Sequence, residues 1–262
     1  MTSSLPPVAT GRVILVGAGP GAADLLTLRA VEALHRADVV VHDGLVDDAV
    51  FTHVRPGVQR ISVAKKRDRH TMPQEDINAL LVAFARAGSL VVRLKGGDPF
   101  IFGRGGEEVE ACRAAGIAVE IVPGVSAALG AAAGALLPLT HRDHASAVSF
   151  VAGTCKGLDA QDWSGLVGHD RTLVIYMGVT SAEMIAAKLM ASGTSPSLPV
   201  AVLERGTLIG SRALRSVLAD LGSMVIRHRV VSPAILVIGE VAALGDADSH
   251  LQSLAIHAES LT

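Results

Sequence analysis

A glycine-rich segment at residues 93–108 carries the side chains of this chain that are best suited to chemistry. It reads RLKGGDPFIFGRGGEE and places Asp98, Arg104 and Glu107 among five glycines. Glycine accepts positive φ angles and lets the backbone come close to a ligand. The segment therefore predicts a loop that contacts a polar ligand, and a plain surface turn is the alternative.

A second glycine-rich segment, GAGPGA at residues 17–22, follows the apolar run at 13–16. It satisfies the dinucleotide-binding fingerprint, and Asp43 lies where a ribose-binding acid belongs. A nicotinamide-dependent oxidoreductase is therefore a rival interpretation. Two observations weigh against it. Pro20 removes a backbone N–H that should bind pyrophosphate, and the fingerprint leaves the loop at 96–106 unexplained.

Two weaker patterns suggest other chemistry. Gly124-x-Ser126-x-Ala128 resembles the nucleophile elbow of a hydrolase, although a serine at a helix start more often caps the helix. His141 and His144 have metal-ligand spacing, but a pair without further ligands is usually structural. We expect no metal, and a hydrolase stays open as an alternative.

These segments must be positioned by strands and helices that alternate along the chain. Short apolar runs at 13–16, 39–41, 89–92 and 117–122 indicate buried strands of a parallel sheet joined by crossover helices. Asp24 is the predicted cap of the first helix, and Pro73 and Gly88 bound the next one. Residues 137–140 (LPLT) read as a domain joint, after which strand-like runs resume at 147–151, 173–177, 200–203, 213–218 and 235–238.

Composition narrows the class of protein. The 262 residues are 50% hydrophobic but only 3% aromatic, so an aliphatic α/β core is expected. The net charge of −2 argues against a nucleic-acid binder. Cys112 and Cys155 form no Cys-x-x-Cys motif, which fits a reducing compartment. The N-terminus is unlike a signal peptide and no apolar run reaches about 20 residues. The sequence thus predicts a cytoplasmic protein with no membrane partner.

Seven motifs together resemble the uroporphyrinogen-III C-methyltransferases of the tetrapyrrole methylase family. In chain order they are VGAGPG, VHDGLV, VRLKGGDPFIFGRGGEE, VPGVSAA, PLTHRDHA, YMG and LERGT. The resemblance runs from about Gly11 to Leu244. Later precorrin methylases share part of the pattern, but the long form of the third motif favours the uroporphyrinogen enzymes. Some relatives carry a fused dehydrogenase and ferrochelatase module, and this chain is expected to correspond to the single-function enzyme.

The resemblance implies two α/β domains with the active site in the cleft between them. The N-terminal domain, 11–137, has a mostly parallel sheet and the tetrapyrrole side. The C-terminal domain, 140–245, has a mixed sheet and completes the donor site, and 246–262 is expected to be a mobile tail. A homodimer is implied, with S-adenosyl-L-methionine as methyl donor and S-adenosylhomocysteine as product. The reaction would methylate uroporphyrinogen III twice, by way of precorrin-1 to precorrin-2, for siroheme, cobalamin or haem d1.

The resemblance also assigns residues. Asp43 and Lys65 match positions regarded as proton acceptor and donor, and Arg104, Glu107 and Arg142 match positions that line the tetrapyrrole site. The expected S-adenosylmethionine contacts are Pro20, Gly96, Gly97, Asp98, Ile101, Ser126, Ala127, Met177 and Gly206. His42, Ala64 and Ser126 depart from residues that are common in the family, and His42 is the one expected to alter substrate contacts.

The chemistry of the substrate agrees with these assignments. Uroporphyrinogen is a polycarboxylate, and arginine forms bidentate carboxylate pairs. The chain offers Arg104, Arg142 and a basic run at 60–70. Methyl transfer to a pyrrole carbon needs alignment of donor and acceptor rather than a protein nucleophile, and the later proton loss needs a base. Asp43 is a more ordinary base than Arg104, although the sequence leaves the identity of the base open.

Overall fold

The computed structural model describes residues 11–64, 72–154 and 161–245. These residues divide into two compact units, with the boundary along the chain between Ser126 and Ala127. Each unit is built on a five-stranded sheet, as the α/β prediction required. In the described ranges, no helix has the length and apolar character needed to cross a membrane.

The first unit is a parallel sheet with helices on both faces. Its strand order is β3-β2-β4-β1-β5, and every strand pair is parallel. The strands are β1 Arg12–Gly17, β2 Val39–His42, β3 Gln59–Ser62, β4 Leu90–Lys95 and β5 Ala118–Val122, and the helices are α1 Leu28–Arg36, α2 Gln74–Arg86 and α3 Gly105–Ala114. Because both faces are covered, β1, β2 and β4 read as nearly continuous apolar runs.

Two apolar cores lie on opposite faces of this sheet. Helix α1 packs on one face against side chains such as Ile14 and Val92. Helices α2 and α3 pack on the other face, against Val13, Leu15 and Val91. Consecutive strand residues point to opposite faces, which explains why neighbouring residues of β1 and β4 belong to different cores.

The second unit has a mixed sheet in the order β6-β7-β10-β8-β9. The pair β6–β7 is parallel and the other pairs are antiparallel. The strands are β6 Ala145–Ala152, β7 Asp170–Tyr176, β8 Pro199–Glu204, β9 Arg212–Val217 and β10 Ala234–Ile238, and the helices are α4 Ala127–Gly134, α5 Ala182–Ala191 and α6 Leu221–Arg227. Helices α5 and α6 cover a core that includes Leu173, Ile185 and Leu236.

Two local expectations differ from the structure. Helix α1 begins after Thr27, whose side chain accepts from the Ala30 N–H, while Asp24 lies in a preceding 3₁₀ turn at Ala23–Leu25. The boundary between the compact units lies about ten residues before the predicted joint at 137–140, because helix α4 packs on β8 and β10 of the second sheet. Helix α4 is rich in alanine and has no polar face, so its sequence does not indicate to which unit it belongs.

Candidate active site

The strand order of the first sheet places a topological switch point, here called the crevice, between the carboxyl ends of β2 and β4. The chain leaves β2 toward β3 on one side and leaves β4 toward β5 on the other. In open α/β sheets, ligands bind at such a switch point, outside the carboxyl ends of the strands. Asp43 directly follows β2, and Gly96, Gly97 and Asp98 directly follow β4. The structure therefore brings these four predicted site residues to the same crevice.

The loops after β1, β4 and β5 are bound to one another. Gly19 N–H donates to Gly97 O at 3.2 Å, and Gly97 N–H donates to Gly19 O at 2.7 Å. Asp98 accepts from Gly124 N–H at 3.1 Å and from Phe100 N–H at 2.8 Å. Since each carboxylate oxygen of Asp98 already has a backbone partner, its side chain organises the loops that face the crevice.

Glycine is required where these loops cross. A Cβ atom added to Gly17 would lie 2.6 Å from Gly124 Cα, and one added to Gly124 would lie 2.8 Å from Gly17 Cα. Cβ atoms do not occur that close to backbone atoms. The glycines at these two positions thus serve close packing of the loops.

The loop between β4 and α3 is conformationally strained. Phe102 and Arg104 have φ angles of 52° and 57°, which non-glycine residues rarely adopt. Gly105 N–H donates to Pro99 O at 3.1 Å and closes the loop at the start of α3. Backbone strain of this kind clusters at ligand-binding sites, and here it falls on a residue predicted to bind substrate.

Arg104 and Glu107 lie together as a bidentate pair on this loop. Arg104 Nε donates to Glu107 Oε1 at 2.8 Å, and Nη2 donates to Oε2 at 2.7 Å. The hydrogen bond from Arg104 lowers the pKa of Glu107, and the same bond raises the pKa of Arg104. Both side chains are about half exposed, so the guanidinium can exchange its partner for a substrate carboxylate.

Asp43 contacts charged residues that were not assigned a role from the sequence. Arg93 Nη2 donates to Asp43 Oδ1, and Lys95 and Glu108 lie within the same cluster. Burial lowers the pKa of Lys95, as does nearby Arg93, while Asp43 and Glu108 act in the opposite direction. The sequence signal was available in β4, where Arg93 and Lys95 occupy alternate positions of an otherwise apolar strand.

The second unit brings three further donor-site candidates together around α4. Ala128 N–H, next to Ala127, donates to the Tyr176 hydroxyl at 3.3 Å, and Met177 follows Tyr176 at the end of β7. Gly206 lies against the same helix, since an added Cβ would be 2.6 Å from Ala131 Cα. Met177 has a φ angle of 55°, so a strained position again coincides with a predicted contact.

Arg142 is not brought to that end of the second sheet. It is exposed and lies in the turn before β6, whereas Met177 follows β7, and β6 and β7 are parallel. The register pairs Ala145 with Asp170 and Ala152 with Tyr176, so the two positions are separated by about 20 Å of strand at ~3.3 Å per residue. Its predicted contact with substrate stays a prediction.

Some predicted features fall outside the described residues. They are Lys65, most of the basic run at 60–70, Cys155 and the tail at 246–262. Within the described ranges, no group of three or more His, Cys, Asp or Glu side chains is placed to hold a metal ion. His141 and His144 pack ring against ring, with centroids 4.8 Å apart.

The two rival interpretations lack their required geometry. The Gly19 N–H donates to Gly97, and α1 begins only at Leu28, so the loop after β1 does not present a helix N-terminus to a pyrophosphate as the dinucleotide fold does. Ser126 does not have a positive φ angle, so it lacks the strained turn of a nucleophile elbow.

The parallel sheet with a crevice at β2 and β4, followed by a mixed-sheet unit, defines a two-domain α/β protein with a candidate ligand site in its first unit. The family model of the "Tetrapyrrole (Corrin/Porphyrin) Methylases" matches residues 12–222. The chain belongs to this family.

Relatives and solved structures agree with the family assignment. A siroheme synthase of Tolumonas auensis is 50% identical over 239 residues, which is 91% of this chain and 51% of that protein. The chain thus spans about half the length of the curated relatives it matches. The uroporphyrin-III C-methyltransferase of Thermus thermophilus, solved in complex with S-adenosylhomocysteine, is 39% identical with a TM-score of 0.77 and covers 89% of this chain and 94% of its own. A cobalt precorrin-4 methyltransferase is 25% identical with a TM-score of 0.79, covering 91% and 98%.

Proposed function

We propose that this protein transfers methyl groups from S-adenosyl-L-methionine to carbon atoms of uroporphyrinogen III, in two steps by way of precorrin-1 to precorrin-2. The observation that carries the proposal is the crevice at β2 and β4, where Asp43 after β2 contacts Arg93 of β4 and a strained, glycine-rich loop bearing Arg104 follows β4. The likeness to a uroporphyrin-III C-methyltransferase with bound S-adenosylhomocysteine supports both the donor and the substrate.

The donor is proposed to contact the loops that the two units provide. In the first unit these are the residues around the interlocked loops, Pro20, Gly96, Gly97, Asp98, Ile101 and Ser126. In the second they are the residues around α4, Ala127, Met177 and Gly206. Arg205 and Thr207, on either side of Gly206, have φ angles of 51° and 68°. A loop strained on both sides of a glycine supports close contact between backbone and ligand.

The substrate is proposed to be recognised through charge and apolar surface together. Arg104 supplies a planar fork for a carboxylate. Leu45, Phe100 and Phe102 are exposed on the loops after β2 and β4, and a Cβ on Gly96 would lie 3.0 Å from Leu45 Cβ, so those loops adjoin. A macrocycle with apolar faces and carboxylate side chains matches this combination. Glu107 and Arg142 complete the proposed set of substrate contacts.

The chemistry requires alignment first and proton removal second. The electron pair of a pyrrole carbon forms the bond to the sulfonium methyl, and the sulfur–methyl bond breaks with its electrons returning to sulfur as neutral S-adenosylhomocysteine. The ring system is left cationic. Loss of a proton from an adjacent bridging carbon returns that C–H electron pair to the ring, and the Asp43 carboxylate accepts the proton. Lys65 is the proposed proton donor.

Other parts of the proposal rest on the family resemblance. They are a homodimeric assembly, a cytoplasmic location and the use of the product for siroheme, cobalamin or haem d1. A methyltransferase for a later precorrin is the second candidate, which the likeness to the cobalt precorrin-4 methyltransferase favours.

The test is anaerobic incubation of the purified protein with S-adenosylmethionine and either uroporphyrinogen III or a precorrin-4-type substrate, followed by detection of S-adenosylhomocysteine. Formation of S-adenosylhomocysteine with uroporphyrinogen III, but not with the precorrin-4-type substrate, supports the proposal. Formation only with the later intermediate supports the second candidate, and failure with both contradicts both. Calorimetric titration with NAD in place of the methyl donor is the control for the oxidoreductase interpretation.

A further inference from the structure

Four charged side chains form one cluster at the crevice, defined here as the Asp43 cluster: Asp43, Arg93, Lys95 and Glu108. Arg93 and Lys95 are two residues apart on β4 and so point to the same face of the sheet. Their side chains are 2% and 3% exposed, and Glu108 on α3 is fully buried. Asp43 is 30% exposed and is therefore the one member that opens toward the crevice.

The hydrogen bonds form a bracket around the Asp43 carboxylate. Glu108 Oε1 accepts from Arg93 Nε at 2.9 Å and from Lys95 Nζ at 3.1 Å. Arg93 Nη2 donates to Asp43 Oδ1, and Lys95 Nζ lies 3.8 Å from Asp43 Oδ2. Each oxygen of Asp43 thus faces one cation, and Glu108 accepts a hydrogen bond from each of these two cations.

Stability alone does not account for this cluster. Buried ion pairs are often no more stabilising than apolar residues of similar volume, and the neighbours Val91, Val92 and Leu94 show that β4 accepts apolar residues. Glu108 Oε2 is buried without a hydrogen-bond partner in the described part of the chain, which costs free energy. The cluster holds two positive and two negative groups, so it is balanced without a bound ion.

We propose that Arg93, Lys95 and Glu108 are positioning residues that fix the direction and the charge of the Asp43 carboxylate at the crevice. The inference rests on the proposed function, because it takes Asp43 as the proton acceptor. Glu108 sets the guanidinium of Arg93, and the guanidinium sets Asp43, so the carboxylate meets the methylated ring in one orientation. Preorganisation of a reacting group has large effects, and a misplacement of about 1 Å costs about 100-fold in rate.

The principal test is a charge-balanced double variant, Arg93→Met with Glu108→Leu. It removes one cation and one anion and leaves Lys95 opposite Asp43. The thermal unfolding midpoint, the dissociation constant of S-adenosylhomocysteine and the KM for uroporphyrinogen III are expected to stay near wild type. In single-turnover experiments, the rate at which the methylated ring loses its proton to form product is expected to fall about 100-fold.

Arg93→Lys is the second variant. It keeps the positive charge at this position and allows the test even if the double variant does not fold. A lysine cannot donate to Glu108 and Asp43 at once through a planar fork, so kcat is expected to fall while KM is kept. The matched control is Arg227→Lys, which replaces the arginine of a bidentate pair with Asp220 in the second unit and should leave kcat unchanged.

The outcomes separate the inference from the function on which it rests. If wild-type protein does not methylate uroporphyrinogen III, the proposed function fails. If wild type is active and Arg93→Lys keeps full kcat per folded molecule, the cluster is structural and the inference is wrong. An equal loss of donor affinity and kcat in Arg93→Lys also overturns it, because the cluster would then shape the binding loops instead of Asp43.

Discussion

Gly19 and Gly97 exchange a pair of backbone hydrogen bonds, at 3.2 Å and 2.7 Å, between the loops that follow β1 and β4. This pairing fixes the glycine-rich segment beside the crevice and uses the Gly19 amide, which a pyrophosphate site after β1 would need. Together with the close approach of Gly17 and Gly124, it makes the loop cluster one unit whose shape depends on the absence of side chains.

Gly124→Ala should disrupt the loop cluster. The new Cβ would lie 2.8 Å from Gly17 Cα, and relief of such a clash requires movement of the backbone. Overpacking of this kind costs about 1–3 kcal/mol of the free energy of unfolding. We expect a lower thermal midpoint and about tenfold weaker binding of S-adenosylhomocysteine, equivalent to about 1.4 kcal/mol, measured by thermal unfolding and calorimetry.

Gly106→Ala is the control for this experiment. Gly106 lies in α3, and an added Cβ would meet nothing within 4 Å. Alanine favours helix over glycine by about 1 kcal/mol, so stability should hold or rise while donor affinity stays unchanged. Equal behaviour of the two variants would show that the crossing of the loops is not required for donor binding.

Arg104→Lys should weaken substrate recognition selectively. The guanidinium presents a planar fork, as its two hydrogen bonds to Glu107 show, whereas an ammonium is a point charge. Hydrogen bonds to charged groups contribute about 1.5–3 kcal/mol, so the KM for uroporphyrinogen III should rise about tenfold or more. Steady-state kinetics and calorimetry would check this, with unchanged S-adenosylhomocysteine binding. The thermal midpoint should change little, because exposed ion pairs contribute little to stability. An unaltered KM for uroporphyrinogen III would show that Arg104 does not bind substrate.

Asp43→Asn should slow turnover while both ligands still bind. The amide keeps an oxygen that can accept from Arg93, but it cannot take a proton from the ring. General-base contributions are about 100-fold or more, so single-turnover product formation should fall by at least that factor with binding constants little changed. Normal turnover in Asp43→Asn, combined with an Arg104→Lys variant that binds substrate but does not methylate it, would reverse the two roles.

The pH dependence of stability should reveal Asp170 in the second unit. Its carboxylate accepts from the hydroxyl and the N–H of Ser146, and the hydroxyl bond is the main cause of its lowered pKa. A lowered folded-state pKa means that the unfolded chain binds more protons in acid, so the contribution is present above the ordinary value of about 3.9 and is lost as the pH falls through the folded value. Asp170→Asn should therefore be less stable than wild type near neutrality and approach it in acid.

Denaturant unfolding at several pH values would measure this convergence. Ser146→Ala should show the same trend in part, since it removes the hydroxyl donor and keeps the N–H. A difference between wild type and Asp170→Asn that is independent of pH would contradict the assignment. Asp170 has a φ angle of 69°, which asparagine also accepts, so the substitution changes charge without backbone strain.

Much of the fold was predictable because local patterns of apolar residues and glycines determine its strands and loops. The apolar runs of β1, β2 and β4 predicted a parallel sheet whose strands end in glycine-containing loops, and the structure confirms that architecture. The strand β3 and the helix α6 were not predicted, since Gln59–Ser62 is polar and mostly exposed and Leu221–Arg227 is only seven residues long. The side of the boundary to which α4 belongs depends on tertiary packing, which an alanine-rich helix does not encode locally.

The positions of the candidate site residues in the fold were predictable to a similar extent. Residues in glycine-rich motifs were located correctly at the strand ends, because motif and position coincide there. The support of Asp43 by Arg93 and Glu108 was missed, because Arg93 is 50 positions from Asp43 and 15 from Glu108. The pairing of β2 with β4 and the packing of α3 on the sheet bring them together. Arg142 shows the opposite case, where a motif match alone does not reveal at which end of the sheet a side chain lies.

The most direct test of the central claim is mass spectrometry of uroporphyrinogen III after anaerobic incubation with the protein and S-adenosylmethionine that carries a deuterated methyl group. We predict a product with two labelled methyl groups on carbon and a singly labelled intermediate at early times, with S-adenosylhomocysteine formed in equal amount to the methyl groups transferred. Recovery of unlabelled tetrapyrrole, with the donor intact and the protein folded, would contradict the account.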